Sequence, residues 1–382
     1  MKNIEICIDQ NVDINEFKKI IGFISEKINS FSVQGSILQL ELEEDASDIV
    51  IKNEIIAMSQ KFVSGKETDA LLVDNKVFVN KYIHKHESIY FFDNGLMSLS
   101  REALFLYNFF NAQFNKLVSE KFAESDCDIV EKLYPVLLPI YAYKKTGYLK
   151  RSPQYSLFCC AACENIKLLE EMENINNNEY KKFIDEPAYA LSPSACFHVY
   201  EEYESRVLER NTVVTFTQSV FRNEGRFNFQ EYGRMRDYHV KEIVFLGSSE
   251  FVEKSRDLMI ESTIKCMQDW ALDSKIMVAS DPFIMPRMQK FKKFQSLDKS
   301  KYELRMSYDA EKDMSVASFN LHGTAFTHPF DISMKESEAV TGCIGYGLER
   351  FVLAFLSQYG ENVETWPEVI RAAYKLNKDD KE

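Results

Sequence analysis

The densest run of side chains able to do chemistry is FRNEGRFNFQEYGRMRDYHVKEIVFLG, residues 221–247. It reads as strand, polar loop, strand. Arg222 and Glu224 stand two apart, so on a strand both side chains leave the same face. A guanidinium fork matches phosphate oxygens and a carboxylate accepts from an exocyclic amine, so the pair suits a nucleotide. Arg226, Arg234 and Arg236 add positive charge in or beside the loop. The same residues also suit a surface hairpin laced with ion pairs, and spacing alone does not separate the two readings.

A second segment, TGCIGYGLERFVLAFL at residues 341–356, places small residues before a helix. Arg350 falls in the first turn, where a cation opposes the helix dipole, so a ligand for it to face is a physical reason for its presence. A tightly packed strand–helix junction explains the glycines equally well. Of eight cysteines, Cys159, Cys160 and Cys163 in FCCAAC lack the second pair that a structural zinc site needs. Cys7, Cys127 and Cys266 read as small hydrophobes. His198, His239 and His322 lie near these segments and read as hydrogen-bonded structural histidines.

The elements that must position these residues follow from periodicity. Ile4 and Ile6 mark a strand. Ile14, Phe17, Ile21, Ile24 and Ile28 predict one amphipathic helix, and Leu38, Leu40 and Leu42 a half-buried strand. Helices are expected over roughly 48–63, 101–122 and 250–272, strands at Val213–Phe216, Ile243–Leu246 and Val316–Phe319, and a helix through Leu348–Tyr359. Pro135, Pro139, Gly147 and Pro153 break up the stretch after the long aromatic helix. The pattern predicts an α+β protein with a small N-terminal unit over 1–88, a larger domain over 89–376 and a frayed tail over 377–382.

The chain has 382 residues and a formal net charge of −13. An acidic balance argues against broad nucleic-acid binding. No run approaches the length of a membrane span, and the start, MKNIEICIDQ, has no signal-peptide pattern. A cytoplasmic protein with reduced thiols is the expectation.

The two segments together resemble motif 2 and motif 3 of the class II aminoacyl-tRNA synthetases. Arg222-x-Glu224 and Arg234-Met-Arg236-Asp237-Tyr238 match the halves of motif 2 (about 213–247), and Gly347-Leu348-Glu349-Arg350 matches motif 3 (about 341–357). Residues 130–155 fall where motif 1 belongs. The chain is most similar to the seryl type with an active-site zinc and to its truncated relatives, the amino acid–carrier protein ligases. ALSPSACFHVY, ASDPF, KYEL and ASFNLH extend the likeness over roughly residues 90–360.

The resemblance implies an antiparallel sheet flanked by helices and a homodimer built through motif 1. It implies that Arg222 binds the α-phosphate of ATP, Glu224 the adenine edge and Arg234 the terminal phosphates. Tyr238 and Arg350 would enclose adenine. Glu303 would help hold Mg²⁺, with Asp313 a weaker candidate. Asn320 would touch the amino acid or the ATP side. Cys196, Glu242 and Cys343 fall at the zinc-ligand positions, a three-ligand set whose open position would take the α-amine. A small amino acid such as Gly, Ala or Ser is the first guess. The sequence HGTAFTHPF lacks an acidic residue expected there, which leaves the amino acid side of the pocket open.

The acceptor of the activated amino acid is the open question. The short N-terminal unit, the short tail and the acidic balance favour the phosphopantetheine thiol of a carrier protein and make tRNA an unlikely partner. The helix over 250–272 and the basic run PRMQKFKK (286–293), with Arg287, Lys290, Lys292 and Lys293, are candidate docking sites for an acidic carrier. A seryl-type synthetase charging tRNA is the first alternative. A catalytically dead paralogue acting as a binding module is the second, and it is disfavoured because Arg222, Glu224 and Arg350 are all present.

Overall fold

The computed structural model describes residues 1–62, 70–93, 95–175, 179–281, 288 and 298–379. The chain begins with a three-stranded antiparallel sheet of β1 (Lys2–Cys7), β2 (Ile28–Gln34) and β3 (Ile37–Leu42), in the order β1-β3-β2. On β3, Leu38, Leu40 and Leu42 are buried while Gln39 and Glu41 are not, the alternation a one-sided sheet requires. Helix α1 (Asp48–Ser59) covers that face with Ile51 and Ile55.

The single helix expected from Ile14 to Ile28 is instead three short pieces, Ile14–Phe17, Lys18–Ile20 and Ile21–Ile24. Asp13 caps the first, its carboxylate accepting from the Asn15 and Glu16 amides at 3.1 Å each. Gly22 sits in the last piece, where a helix gains least from its residue, and Ile28 opens β2. Phe17, Ile20, Ile21 and Ile28 are all buried. The apolar pattern therefore reports the face that is covered, but not a continuous helix.

The main body is an eight-stranded sheet: β4 (Leu71–Asn75), β5 (Cys127–Glu131), β6 (Asn211–Phe221), β7 (Asp237–Gly247), β8 (Ser274–Val278), β9 (Lys301–Ser307), β10 (Asp313–Gly323) and β11 (Val340–Gly347). Their order is β4-β8-β9-β10-β11-β7-β6-β5. Every neighbouring pair is antiparallel except β6 with β5. Leu71–Asn75, which falls inside the N-terminal stretch of the sequence, is thus an edge strand of the main sheet.

Helices α2 (Arg101–Phe122), α3 (Phe197–Glu202), α4 (Ser249–Asp269), α5 (Leu348–Tyr359) and α6 (Glu368–Asp379) complete the core. Helix α5 is buried along nearly its whole length, with Leu348, Phe351, Val352, Phe355 and Leu356 fully covered, as befits a helix packed within a core rather than on its surface. Phe114 of α2 stacks on Tyr346 of β11 at 3.9 Å between ring centres. Asn115 of α2 accepts from the Lys241 ammonium at 2.8 Å. Tyr346 and Lys241 therefore face the helices. With a period of two, Cys343, Gly345 and Gly347 of β11, and Tyr238 and Glu242 of β7, face the other way.

This is the expected α+β arrangement, an antiparallel-rich sheet flanked by helices. No helix among the described residues is long and apolar enough to cross a membrane.

Candidate active site

The face of the sheet turned away from α2 and α5 floors a cavity of about 1210 Å³. Strand register lays its residues out in rows. Glu303, Ser318, Gly345 and Glu242 are successive cross-strand partners on β9, β10, β11 and β7. Lys301, Asn320 and Cys343 form the next row. Segments remote in sequence thus meet because antiparallel neighbours present paired residues on one face.

Cys196 reaches this floor from the N-cap of α3, beside the β11 row. The ligand atoms of Cys196, Glu242 and Cys343 all lie within 4.8 Å of one another, and the three are the only such metal-capable group among the described residues. All three are buried, at 2%, 4% and 5% exposure. Burial, then the Cys196 sulfur beside it, pushes the Glu242 carboxyl well up. The hydrogen bond with Cys196 pushes the Cys343 thiol well up, and burial adds to this, while Cys196 moves down as it takes that bond. Three buried acids packed this closely cannot all ionise unless a cation joins them. Two thiolates and one carboxylate are also the donor set of an open zinc site. The residues fit the metal.

Neighbouring side chains are aimed at these sulfurs. The Asn320 amide donates to Ser318 Oγ at 3.1 Å and lies 3.5 Å from Cys343 Sγ. His322 Nε2 is 3.7 Å from the same sulfur, while its Nδ1 meets Tyr200 Oη at 3.2 Å and Thr341 Oγ1 at 3.3 Å. Burial drives the His322 imidazole down to about 3, with Arg151 adding to the effect, so it is neutral. Ser194 Oγ is 3.3 Å from Cys196 Sγ. Such contacts orient metal ligands.

Arg222 and Glu224 lie just past the end of β6, in the loop rather than on the strand. The Arg222 amide donates to the Arg236 carbonyl at 2.8 Å, which keeps the two arms together beyond the ladder. Its Nε donates to the Pro193 carbonyl at 2.9 Å. Arg350 stands over the Tyr238 ring at 5.3 Å and Arg222 lies 5.9 Å from the same ring centre. The Arg350 Nε and Nη1 donate to the Gly233 and Ser315 carbonyls at 3.0 Å each. A base between Tyr238 and Arg350 needs about 7 Å, two van der Waals contacts, so the slot must open slightly to admit one.

Glu224 is 3% exposed. Its carboxylate pairs with Arg234 at 3.4 Å, and Arg234 also bonds Glu231 at 3.0 Å. Arg234 is therefore turned along the loop. Glu303 lies between Lys301 at 3.3 Å and Arg305 at 3.1 Å. Burial alone would raise its carboxyl, but these two cations hold it below the ordinary range. Lys301 also pairs with Asp281 at 2.8 Å, and Asp313 with Lys275 at 2.7 Å and with Arg305.

Sequence reasoning missed Lys301 and Arg305, although their alternation with Glu303 in KYELR was a period-two signal. It missed Tyr200 and Ser194 altogether, for which no spacing signal exists. It gave His322 a structural role, which its hydrogen bonds fit, without placing it at the sulfurs. The Glu349 carboxylate accepts from the His239 amide at 2.8 Å and bonds its Nδ1 at 2.7 Å, and His198 bonds the Leu137 carbonyl at 3.1 Å. The FCCAAC cysteines join no metal-capable group among the described residues. The 250–272 segment forms α4, ending at Asp269. The basic run 286–293 lies, apart from Met288, outside the described residues.

No family model matches the chain. It is 30% identical over 274 residues to a type-2 serine–tRNA ligase of Methanococcus maripaludis, covering 68% of this chain and 53% of that one. A type-2 serine–tRNA ligase of Methanocaldococcus jannaschii is 30% identical over 261 residues, covering 64% and 50%. The chain thus spans about half the length of the curated relatives it matches. Among solved structures, M. kandleri SerRS, determined in complex with A. aeolicus tRNASec, superposes with a TM-score of 0.66 at 19% identity, covering 98% of this chain and 78% of that one. A cytoplasmic serine–tRNA ligase of Naegleria fowleri in complex with AMP superposes at 0.58 and 9% identity, covering 82% and 66%.

These relatives correct the expected acceptor. They are named for tRNA ligation, and none of those described is a carrier-protein ligase. The acidic composition and short N-terminal unit misled because net charge averages over the surface and says nothing of a local contact. The phosphopantetheine carrier protein is withdrawn as the partner, and so is the view that tRNA is unlikely.

Proposed function

We propose that this chain, which carries a class II synthetase-like core, is an ATP-dependent ligase that activates a small amino acid, serine first, and esterifies it to tRNA. The observation that carries the reading is the meeting, on one sheet face, of the Cys196–Glu242–Cys343 group with Arg222, Glu224 and Arg350. The names of its relatives supply serine and tRNA.

In this reading an amino acid carboxylate oxygen attacks the α-phosphorus of ATP. The bond to the bridging oxygen breaks and pyrophosphate leaves. A terminal tRNA hydroxyl then attacks the carbonyl carbon, AMP leaves, and the hydroxyl proton passes to solvent. Arg222 neutralises charge developing at the α-phosphate, and Tyr238 with Arg350 holds the base, so the work is alignment and electrostatics. Glu224 accepts from the adenine amine once Arg234 turns from it toward the terminal phosphates. Glu303 shares Mg²⁺ that arrives with ATP, with Lys301 and Arg305 keeping it ionised.

Cys196, Glu242 and Cys343 would hold zinc, which when bound favours the neutral α-amine as its ligand. Asn320 and His322 fix the Cys343 sulfur. Tyr200 and Phe326, stacked at 4.3 Å between ring centres, close the pocket beyond His322 and favour a small side chain.

The test incubates the zinc-loaded full chain with labelled serine, ATP and total tRNA. Labelled RNA that releases serine on mild alkali is expected. Serine-dependent pyrophosphate exchange without labelled RNA would overturn the acceptor.

A further inference from the structure

We infer that the N-terminal unit is a wall of the nucleotide cavity, and that Arg226 is a positioning residue through which it holds the loop carrying Glu224 and Arg234. This rests on the adenylation reading.

The loop runs from Arg222 to Arg236 between the two long strands, where no ladder fixes it. It is held from outside the main sheet instead. The Arg226 Nη2 donates to two carbonyls of the N-terminal unit, Ser25 at 2.8 Å and Ile28 at 2.7 Å. The Asn228 amide donates to the Lys19 carbonyl at 3.0 Å. Phe227 meets Phe31 edge-on at 5.4 Å between ring centres. Two glycines make the approach possible. A Cβ on Gly225, at φ +84°, would stand 2.6 Å from the Phe23 ring, and one on Gly22 would stand 2.9 Å from Phe227. The backbones meet with rings interleaved and no room for a side chain.

On its other side the loop rests on Gly95, just before the short strand Leu96–Leu99, which pairs with Ile89–Phe92. The Arg236 amide donates to the Gly95 carbonyl at 2.9 Å, and a Cβ on Gly95 would overlap Phe229. Next to or between these anchors lie Glu224, Glu231 and Arg234, the pairs that would meet adenine and the terminal phosphates. Lys19 and Lys61 of the N-terminal unit line the same cavity. The unit thus shapes the nucleotide site from within it. A guanidinium has two donor directions on one nitrogen and spans both carbonyls at once, whereas an ammonium on its flexible stem is a looser bridge.

The experiment measures ATP affinity by calorimetry on the zinc-loaded full chain, as wild type, Arg226→Ala and Arg226→Lys. Because Arg226 is exposed, the alanine variant should keep the wild-type melting temperature. The expected result is roughly tenfold weaker ATP binding for Arg226→Ala, part of it recovered by Arg226→Lys, with the KM for serine in pyrophosphate exchange unchanged. Wild-type ATP affinity in Arg226→Ala would overturn the inference, as would a loss that comes with a lowered melting temperature. Failure of the wild type to bind ATP would overturn the adenylation reading and this inference with it.

Discussion

Gly345 and Glu242 are cross-strand partners on β11 and β7, and the space a side chain at 345 would need is taken by the Glu242 carboxylate: a Cβ there would stand 2.9 Å from Glu242 Oε2. The neighbouring strand therefore carries glycine so that the carboxylate can lie flat against it and reach the two sulfurs. Gly345 makes room for the ligand set without joining it.

Gly345→Ala is expected to push the Glu242 carboxylate off its position. Overpacking a filled site costs about 1–3 kcal/mol, and misplacing a metal ligand weakens metal binding roughly 10–100-fold. Competition of the protein with a chromophoric zinc chelator measures this. Unchanged zinc affinity would show that Glu242 is not a ligand.

Tyr238 and Arg350 make one contact surface, so their removal should not be additive. Tyr238→Ala or Arg350→Ala is expected to raise the KM for ATP in pyrophosphate exchange by about tenfold, in line with a cation–π and stacking contribution of about 1–2 kcal/mol. Tyr238→Phe keeps the ring and should stay within about twofold of wild type. The double variant should lose less than the product of the single losses.

His239 gives a pH-dependent stability. Its hydrogen bond to Glu349 raises its pKa above the ordinary imidazole value. A group raised in the folded state stabilises fully below its unfolded value, about 6.5, and loses that contribution as pH rises through the folded value. The melting-temperature gap between wild type and His239→Gln should therefore be largest below about pH 6.5 and shrink above it. A gap constant from pH 5.5 to 8.5 would contradict the pairing. Both proteins keep the buried metal ligands, so titration there cancels.

The local elements were legible because they depend on neighbours in sequence. The aromatic-rich run over 101–122 marks α2, and the Leu38–Leu42 alternation marks β3. The fold class followed from the order of such segments and from the resemblance. The Cys196–Glu242–Cys343 group was not legible from spacing, since its closeness comes from the β7–β11 register and from where α3 docks. Arg222 and Glu224 read as strand residues, yet Gly225 at φ +84° turns the chain into the loop there. The contact of Phe227 with Phe31 joins segments some two hundred residues apart, and no local pattern announces it. The acceptor was misread because composition was asked to answer a question about one surface.

The central claim is that the buried cysteine–glutamate–cysteine group holds a divalent metal that the amino acid needs beside the nucleotide arginines. The most direct test measures zinc content and serine-dependent pyrophosphate exchange together in wild type, Cys196→Ser and Cys343→Ser. One zinc per chain with exchange in the wild type, and loss of both together in each variant, is the expected result. Full exchange by a Cys343→Ser chain that contains no metal would contradict the account.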